Sequence, residues 1–165
     1  MLKLLGSVCI LLAGAAVRRL QVRSIRRELA ALEGVTAGLR ELGDRIRLSR
    51  MPLPRLLGRV GENRERDART FFQTAEETIL GGQPPSEAWR RAAELLPVGA
   101  RPQAALRELG ERMDGDEDSV CKAISLATSQ LEAALLERRA RQADQEKRST
   151  AICFSGAALL IILLI

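Results

Sequence analysis

Acidic side chains between Asp114 and Asp118 are the residues of this chain best suited to bind a cation. Carboxylate oxygens are the ligands that Ca²⁺ prefers, and an EF-hand loop beginning at Asp114 would need glycine at its sixth position and glutamate at its twelfth. Ser119 and Ser125 occupy those positions. Because carboxylates also accept hydrogen bonds from the free N–H groups of a helix N-terminus, we interpret the cluster as a helix cap and predict no metal site.

Catalytic side chains are scarce in the rest of the sequence. The chain contains no histidine, which excludes Ser-His-Asp and Cys-His nucleophiles and the usual zinc sites. Cys9 and Cys153 lie within apolar segments and Cys121 stands alone, so the cysteines form no CxxC pair. Neither the GxxxxGKS/T nor the GxGxxG phosphate-binding pattern occurs. We therefore predict that the protein is not an enzyme and binds no cofactor.

Two segments at the ends of the chain, residues 1–17 and 151–165, are almost purely apolar. Each is short for a membrane span but sufficient, since about 17 helical residues rise about 25 Å. A signal peptide is the alternative for the first segment, because residues 13–15 resemble a small-residue cleavage site. A buried core helix is the alternative for the second, although residues 158–165 are apolar on every face. We favour a transmembrane helix at both positions.

Basic residues flank each apolar segment on the side that faces the middle of the chain. They are Arg18, Arg19 and Arg23 after the first segment and Lys147 and Arg148 before the second. By the positive-inside rule, residues 18–150 then form a cytoplasmic domain and both termini lie on the far side of the cell membrane. Anionic lipids account for the net charge of +5, and because the aromatic content is only 2% we predict no nucleic-acid binding.

The first part of the central domain carries apolar residues at helical spacing. Steps of seven residues connect Ile25, Leu32, Leu39 and Ile46. This repeat predicts a long helix that leaves the membrane and continues to about residue 49. Glycines interrupt the pattern at Gly34, Gly38 and Gly43. Since each glycine weakens a helix by up to about 1 kcal/mol, either close packing compensates or the helix is interrupted.

Prolines and glycines divide the rest of the domain into shorter elements. Period-two strand patterns are absent, so we predict an all-α antiparallel helical bundle. Short helices are expected over residues 52–60, 66–80, 84–96 and 102–113, with a turn at 61–63 and a C-terminal cap at Gly81 and Gly82. A long final helix follows the acidic cluster and runs on into the second apolar segment. The first and last helices must therefore lie near each other.

Core and surface residues follow from the same periodicity. The residues expected to face inward are Phe71, Phe72, Ala75, Ile79, Leu80, Trp89, Ala92, Ala93, Leu96, Leu106, Leu109, Met113, Val120, Ile124, Ala127, Leu131, Ala134 and Leu135. Glu28, Glu33 and Glu41 are interpreted as part of a solvated helix face.

A proline-rich corner lies between the first two helices of the central domain. It comprises Pro52, Leu53, Pro54 and Arg55. A structural turn is the default interpretation, because the residue before a proline is disfavoured in a helix. An exposed apolar tip far from the membrane would instead be suited to binding a partner. We therefore keep these residues as candidates for partner docking.

Several of these features resemble one known family when their order is considered. They are the start MLKLLG, the Pro-Leu-Pro corner at 52–54, Glu-Ala-Trp at 87–89, Leu-Gly at 109–110 ahead of the acidic cluster, and the apolar end at 159–165. In this order and spacing they resemble the stage III sporulation protein AB family, which are membrane proteins of endospore-forming bacteria. The resemblance covers the full length of the chain.

The resemblance implies a helical domain similar to the cytoplasmic domain of the F-type platform proteins of type II secretion and type IV pilus systems. It further implies a platform subunit of the secretion-like channel complex that links mother cell and forespore, located in the mother-cell membrane around the forespore. The implied partners are other subunits of that complex, including its ATPase. Secretion platforms carry two copies of this domain and usually three spans, whereas this chain has one copy and two predicted spans. A homo-oligomer would supply the missing copy. The alternative function is that of a membrane-anchored regulatory or signalling protein.

Overall fold

A computed structural model describes the backbone of residues 2–48 and 51–164, and the side chains of residue 19 and residues 22–48 and 51–142. Within these ranges the secondary structure consists of helices and turns, which confirms the predicted all-α helical bundle. The helices are α1 (Leu2–Leu48), α2 (Leu53–Glu62), α3 (Arg66–Leu80), α4 (Pro85–Glu94), α5 (Ala100–Glu111) and α6 (Glu117–Leu164). Each helix packs on the next in the chain, and α6 returns to pack on α1.

Helices α1 and α6 pair side by side and run antiparallel, as their cross-helix contacts show. Arg138 on α6 contacts Glu28 on α1, whereas Glu132 contacts Arg40 further along. The apolar stripes of both helices face each other in the core; they comprise Leu32, Val35, Leu39 and Leu42 on α1 and Ile124, Ala127, Leu131 and Leu135 on α6. The predicted proximity of the first and last helices is confirmed. The predicted continuation of the last helix is also confirmed, since α6 reaches Leu164.

The glycines of α1 are positions where a neighbouring helix comes close. A Cβ at Gly34 would lie 2.7 Å from the Cβ of Ala68, and one at Gly38 would overlap the ring of Phe72. Both neighbours belong to α3, which crosses α1 at this point. Helix α1 is continuous from Leu2 to Leu48, so tertiary packing compensates for the low helix propensity of glycine.

The aromatic side chains of the described residues form the centre of the bundle, as predicted. Phe71, Phe72 and Trp89 are fully buried. The ring of Phe71 contacts those of Phe72 and Trp89 edge to face, with centroids 5.0 Å apart in each pair. This geometry aligns the positive edge of one ring with the negative face of another, which stabilises the cluster beyond its burial.

Two local predictions are wrong. Leu80, expected in the core, is 69% exposed because α3 ends there and Gly81 and Gly82 turn the chain away, with Gly82 at a φ of +85°. The turn expected at residues 61–63 begins later, because α2 continues to Glu62 and buries Gly61 against α3. A Cβ at Gly61 would lie 3.0 Å from the Cβ of Phe72, so glycine allows this contact. Its role is close packing rather than helix termination.

The interpretation of Glu28 as a solvated residue is also wrong. Its side chain is 16% exposed, and its Oε1 lies 2.8 Å from Arg138 Nη2 of α6. The same oxygen accepts a hydrogen bond of 2.9 Å from the backbone N–H of Gly99, the residue that precedes α5. One carboxylate thus connects α1, α6 and the N-terminus of α5, where a negative charge also interacts favourably with the helix dipole.

Glu33 and Glu41, which were interpreted together with Glu28 as solvated, differ from each other in exposure. Glu33 is 48% exposed and pairs with Arg139 of α6 at 2.5 Å, so it belongs to the surface as predicted. Glu41 is less exposed, and it accepts hydrogen bonds from Arg45 at 2.9 Å and from Arg64. Arg64 lies between α2 and α3, so Glu41 links α1 to that turn rather than facing water alone.

The predicted membrane segments, residues 1–17 and 151–165, lie outside the residues whose side chains the structure describes. Among the residues that are described, no helix is long and apolar enough to cross a membrane.

Arg27 and Asp67 connect α1 to the first turn of α3. The Arg27 guanidinium donates two hydrogen bonds to the Asp67 carboxylate, from Nε to Oδ2 and from Nη2 to Oδ1, both 2.7 Å long. These hydrogen bonds favour the charged carboxylate and lower the pKa of Asp67, and the charges of Arg27 and Arg66 act in the same direction. The pairing therefore makes part of the bundle's stability dependent on pH.

Replacing Gly38 by alanine is expected to destabilise the bundle. The new methyl group would overlap the Phe72 ring, and overpacking of this kind costs about 1–3 kcal/mol. The free energy of unfolding of the full chain in detergent, followed by Trp89 fluorescence in urea, measures the loss. Gly43→Ala is the matched control and should lose less stability, because its Cβ would lie 3.3 Å from Ile124 Cγ2, which a small shift of that side chain relieves, and alanine gains helix propensity. Equal stability of Gly38→Ala and the parent chain would contradict the close approach of α1 and α3.

Replacing Asp67 by asparagine is expected to flatten the dependence of stability on acid pH. Because the pKa of Asp67 is lower in the folded chain, its contribution is complete above the ordinary aspartate pKa of about 3.9 and is lost as the pH falls through the lower folded value. Unfolding free energies measured across this range should fall more steeply for the parent chain than for Asp67→Asn. Arg27→Gln should have the same effect, and the double variant should add nothing further. If the unfolding free energies of the parent chain and the variant fell equally with pH, the Arg27–Asp67 pair would not be a source of the pH dependence.

Candidate docking site

The antiparallel pairing of α1 and α6 brings the C-terminus of α1 and the N-terminus of α6 to one end of the bundle. We call this end the tip; it comprises residues 46–48, 51–56 and 113–120. The connections from α1 to α2 and from α5 to α6 also lie there, since residues of both line one common groove. At the opposite end, α1 and α6 extend towards the two apolar termini of the chain.

A groove of about 290 Å³ opens at the tip between these connections. Its lining is mostly apolar and consists of Ile46, Met51, Leu53, Leu56, Met113, Gly115, Glu117 and Val120. Methionine side chains are flexible and polarisable, so they adapt to apolar partners of different shape. The groove is therefore suited to bind apolar groups of another molecule.

Of the four predicted docking residues Pro52, Leu53, Pro54 and Arg55, only Leu53 lines this groove. Pro52 is exposed and precedes α2 with a φ of −58° and a ψ of 140°, which starts the helix without strain. Leu53 is half-buried and lines the groove. Pro54 is half-buried and Arg55 is exposed, and neither lines the groove. Leu53 is thus the candidate residue that a partner would contact inside the groove.

The opposite side of the groove comes from the connection between α5 and α6 and from the start of α6, which the docking hypothesis did not include. Met113 and Val120 belong to this side, and both were expected only as core residues. They are 4% and 7% exposed, so their edges form the groove while most of each side chain packs inward. A methionine at each of the two tip connections, Met51 and Met113, is the sequence signal that could have indicated it.

The acidic cluster caps two different helices at the tip. Asp116 precedes α6, and hydrogen bonds from the Ser119 side chain are the main cause of its lowered pKa. Asp114 Oδ1 accepts a hydrogen bond of 3.2 Å from the backbone N–H of Ser86 in the first turn of α4. The predicted helix cap is therefore confirmed at α6 and extends to α4. Glu117 and Asp118 are exposed, and Glu117 lines the groove.

The end of the bundle opposite the tip is rich in exposed basic side chains. Arg19, Arg23 and Arg26 of α1 and Arg139 and Arg141 of α6 are all exposed. Arg139 and Arg141 pair with Glu33 and Glu137, whereas the structure gives Arg19, Arg23 and Arg26 no acidic partner among the described residues. Of the other basic residues predicted to flank the membrane, the side chains of Arg18, Lys147 and Arg148 lie outside the described residues.

A second groove, of about 430 Å³, lies along α1 and α6. Most of its lining residues are polar or charged, among them the paired Arg40 and Glu132, whereas most lining residues of the tip groove are apolar. In the described part of the chain, no group of histidine, cysteine, aspartate and glutamate side chains has a geometry that would hold a metal ion.

Fold and site together define an all-α protein whose bundle is built on one pair of long antiparallel helices, with an apolar groove at one end. The sequence matches the pattern of the stage III sporulation protein AB family over residues 3–165, so the chain belongs to that family. Among solved structures it is similar to one described as stage III sporulation protein AB (SpoIIIAB), with a TM-score of 0.66 and 20% sequence identity. The similarity covers 72% of this chain and 98% of that one, and it concerns the fold. No curated protein matches.

Alanine substitutions can distinguish a surface groove from a filled core. Leu57 is fully buried, so Leu57→Ala should cost about 2–5 kcal/mol of unfolding free energy. Leu53 is only half-buried, so Leu53→Ala should cost about 1 kcal/mol, because part of its surface is already in water. Urea unfolding of the two variants measures both values. Equal losses would mean that Leu53 is a core residue and that the groove is closed in solution.

Proposed function

We propose that the protein is a non-enzymatic platform subunit of the secretion-like channel complex between mother cell and forespore. Membership of the stage III sporulation protein AB family supports a role in sporulation. In this proposal two transmembrane helices anchor the chain in the mother-cell membrane around the forespore. The central domain, residues 18–150, lies in the mother-cell cytoplasm and binds the ATPase and other subunits of the complex.

The two ends of the bundle support the membrane part of the proposal. Helices α1 and α6 leave the bundle at the same end and continue into the apolar segments, residues 1–17 and 151–165. Exposed arginines, among them Arg19, Arg23 and Arg26, surround the place where α1 leaves. Side chains of this type interact favourably with anionic lipid headgroups, each contributing about 1 kcal/mol near the surface. This arrangement supports the proposal of a two-pass anchor with both termini on the far side.

The apolar groove at the tip is the observation that carries the docking part of the proposal. It lies at the end of the domain farthest from the apolar termini, where a cytoplasmic partner has free access. Six of its eight lining residues are apolar, which is similar to the composition of the centre of a protein interface. Binding at this groove would attach the ATPase or another subunit to the membrane-anchored chain. A homo-oligomer of the chain would bring several grooves together and strengthen such an attachment.

Replacing Leu53 by aspartate in the full chain tests the docking proposal. A carboxylate in the apolar groove is expected to reduce co-purification of the complex's ATPase from sporulating cells at least about tenfold, since burying an unpaired charge costs more than 1.4 kcal/mol. Quantitative mass spectrometry of the captured ATPase provides the measurement. Trp89 fluorescence verifies that the variant is folded.

Leu95→Asp provides the matched control for this experiment. Leu95 is a leucine at the end of α4 that is 61% exposed and does not line the groove, so its replacement should leave ATPase capture unchanged. Parent-level capture by a folded Leu53→Asp chain would show that the ATPase does not bind at the tip groove.

A further inference from the structure

The face of α6 that points away from the core carries a second row of apolar and small residues. We call this row the outer seam; all of its members are exposed, and they are Leu126, Ser129, Ala133, Leu136 and Ala140. Their spacing alternates between three and four residues, which is the heptad spacing of helices that pair along their length. Since each residue turns an α-helix by about 100°, the seam lies opposite the core stripe that contains Leu131. Helix α6 therefore has an apolar face that the described part of the chain leaves uncovered.

The leucines of the outer seam differ from the other exposed leucines of the described residues. Leu48 and Leu80 are the last residues of α1 and α3, and Leu95 follows α4, so each is exposed where a helix ends. Leu126 and Leu136 are 44% and 67% exposed in the interior of α6. Single exposed apolar residues are common on protein surfaces, whereas a regular row of them indicates a contact surface.

The side chains of the seam can be buried at little cost. Ser129 is its one polar residue, and its Oγ donates a hydrogen bond of 2.7 Å to the carbonyl oxygen of Leu126. Because this donor already has a partner within the helix, burying it leaves no unsatisfied donor. Ala133 and Ala140 are small, so a second helix can approach closely at these positions. Towards the tip the seam ends at the exposed Lys122.

The charged side chains that flank the seam are paired within the chain. The pairs are Glu132–Arg40 and Arg139–Glu33 towards α1, and Glu137–Arg101 towards α5. If two such helices pair in the same direction, Glu132 of one lies nearest to Glu137 of the other. Each of these carboxylates already contacts an arginine of its own chain, so the repulsion between them is weak. The flanks thus permit two identical seams to meet.

The path of α6 argues for a second copy of the chain as the partner. Helix α6 runs from the seam to Leu164, through the apolar segment 151–165 that the proposed function places in the membrane. Every copy in that membrane then holds its seam at the same height and in the same direction. One seam therefore meets an identical seam in register, which is the arrangement that pairing of parallel helices requires.

The size of the seam favours a partner in the same membrane over a soluble protein. Its ends are about 21 Å apart at 1.5 Å per residue. A stable interface between soluble proteins involves about 20–30 residues on each side, and the seam with its flanks provides far fewer. Anchoring both partners in one membrane raises their effective concentration, which stabilises a contact of this size.

We propose that two copies of the chain form a parallel dimer through the outer seams of α6. Each seam residue lies next to its counterpart in the other copy, so Leu126 and Leu136 form two apolar layers with small residues between them. This inference rests on the two-pass anchor of the proposed function. It adds the surface through which a homo-oligomer of the chain is held together.

Cysteine crosslinking of the full chain in lipid vesicles tests the parallel dimer. Single cysteines replace seam residues in a chain whose three native cysteines are alanine; the positions are Leu126, Ala133, Leu136 and Ala140. On mild oxidation each should give at least about fivefold more disulfide-linked dimer than Leu95→Cys, since a disulfide needs Cα atoms within about 7 Å. Leu95 is the matched control, because it is 61% exposed but lies outside α6. Mixing Leu126→Cys and Ala140→Cys chains should give no disulfide between the two positions, as parallel pairing keeps them apart.

A charge in the seam gives the second arm of the test. Leu136→Asp places the carboxylates of two copies opposite each other. The association constant should fall at least about tenfold, because a buried unpaired charge is strongly unfavourable. Energy transfer between donor-labelled and acceptor-labelled chains in vesicles measures it, and Trp89 fluorescence verifies folding. Leu95→Asp should leave the association constant unchanged.

The outcomes separate this inference from the proposed function. A chain that a carbonate wash removes from the vesicles would overturn the two-pass anchor and the inference with it. A chain that stays in the vesicles, with equal disulfide yields at the seam and at Leu95, would overturn the inference alone. A disulfide between Leu126→Cys and Ala140→Cys chains would contradict parallel pairing. In sporulating cells, crosslinking of Leu136→Cys to a different protein rather than to itself would identify another subunit as the partner, against the inference.

Discussion

The antiparallel pairing of α1 and α6 is the contact on which the rest of the structure depends. The two helices have 47 and 48 residues, so each is about 70 Å long, whereas the four helices between them have 10 to 15 residues. A short helix of this kind is marginally stable alone and needs an apolar surface to pack against. The buried stripes of α1 and α6 provide that surface. Cross-helix pairs such as Glu28–Arg138 and Glu33–Arg139 then fix how the two helices align.

The same pairing separates the molecule into two chemically different ends. One end continues into the apolar segments of the chain and exposes arginines without acidic partners among the described residues. The other end contains the chain reversals, where helices stop and their last apolar residues have no further helix to cover them. Ile46, Met51 and Leu53 are such half-buried residues, and they line the groove at the tip. An apolar site at this end is thus a direct result of where the short helices begin and end.

Local signals in the sequence were sufficient to predict most of the helices and the aromatic core. The bounds of α3 and the burial of Phe71, Phe72 and Trp89 follow from spacing, proline and glycine, all of which act within a few residues. Features that depend on a distant neighbour could not be predicted. The sequence around Glu28 indicates a surface residue, because its partners, Arg138 of α6 and the N–H of Gly99, are distant in the chain. The sequence likewise indicates that Gly38 weakens α1, because Phe72, whose ring packs against it, lies on another helix. The proline corner pointed to one wall of the groove, but the other wall comes from residues some 60 positions away in the chain, such as Met113.

The distance between α1 and α6 in the full chain tests the central claim most directly. Spin labels at Ser24 and Arg141 report this distance. Both residues are exposed and lie close to the level of the Glu28–Arg138 pair. The labelled chain carries alanine in place of Cys9, Cys121 and Cys153. Paired helices have axes about 8–10 Å apart. We expect one short and narrow distance distribution by pulsed electron spin resonance, in detergent and in lipid vesicles alike. A broad or long distribution in both environments would show that α1 and α6 are not paired there, and would contradict the account.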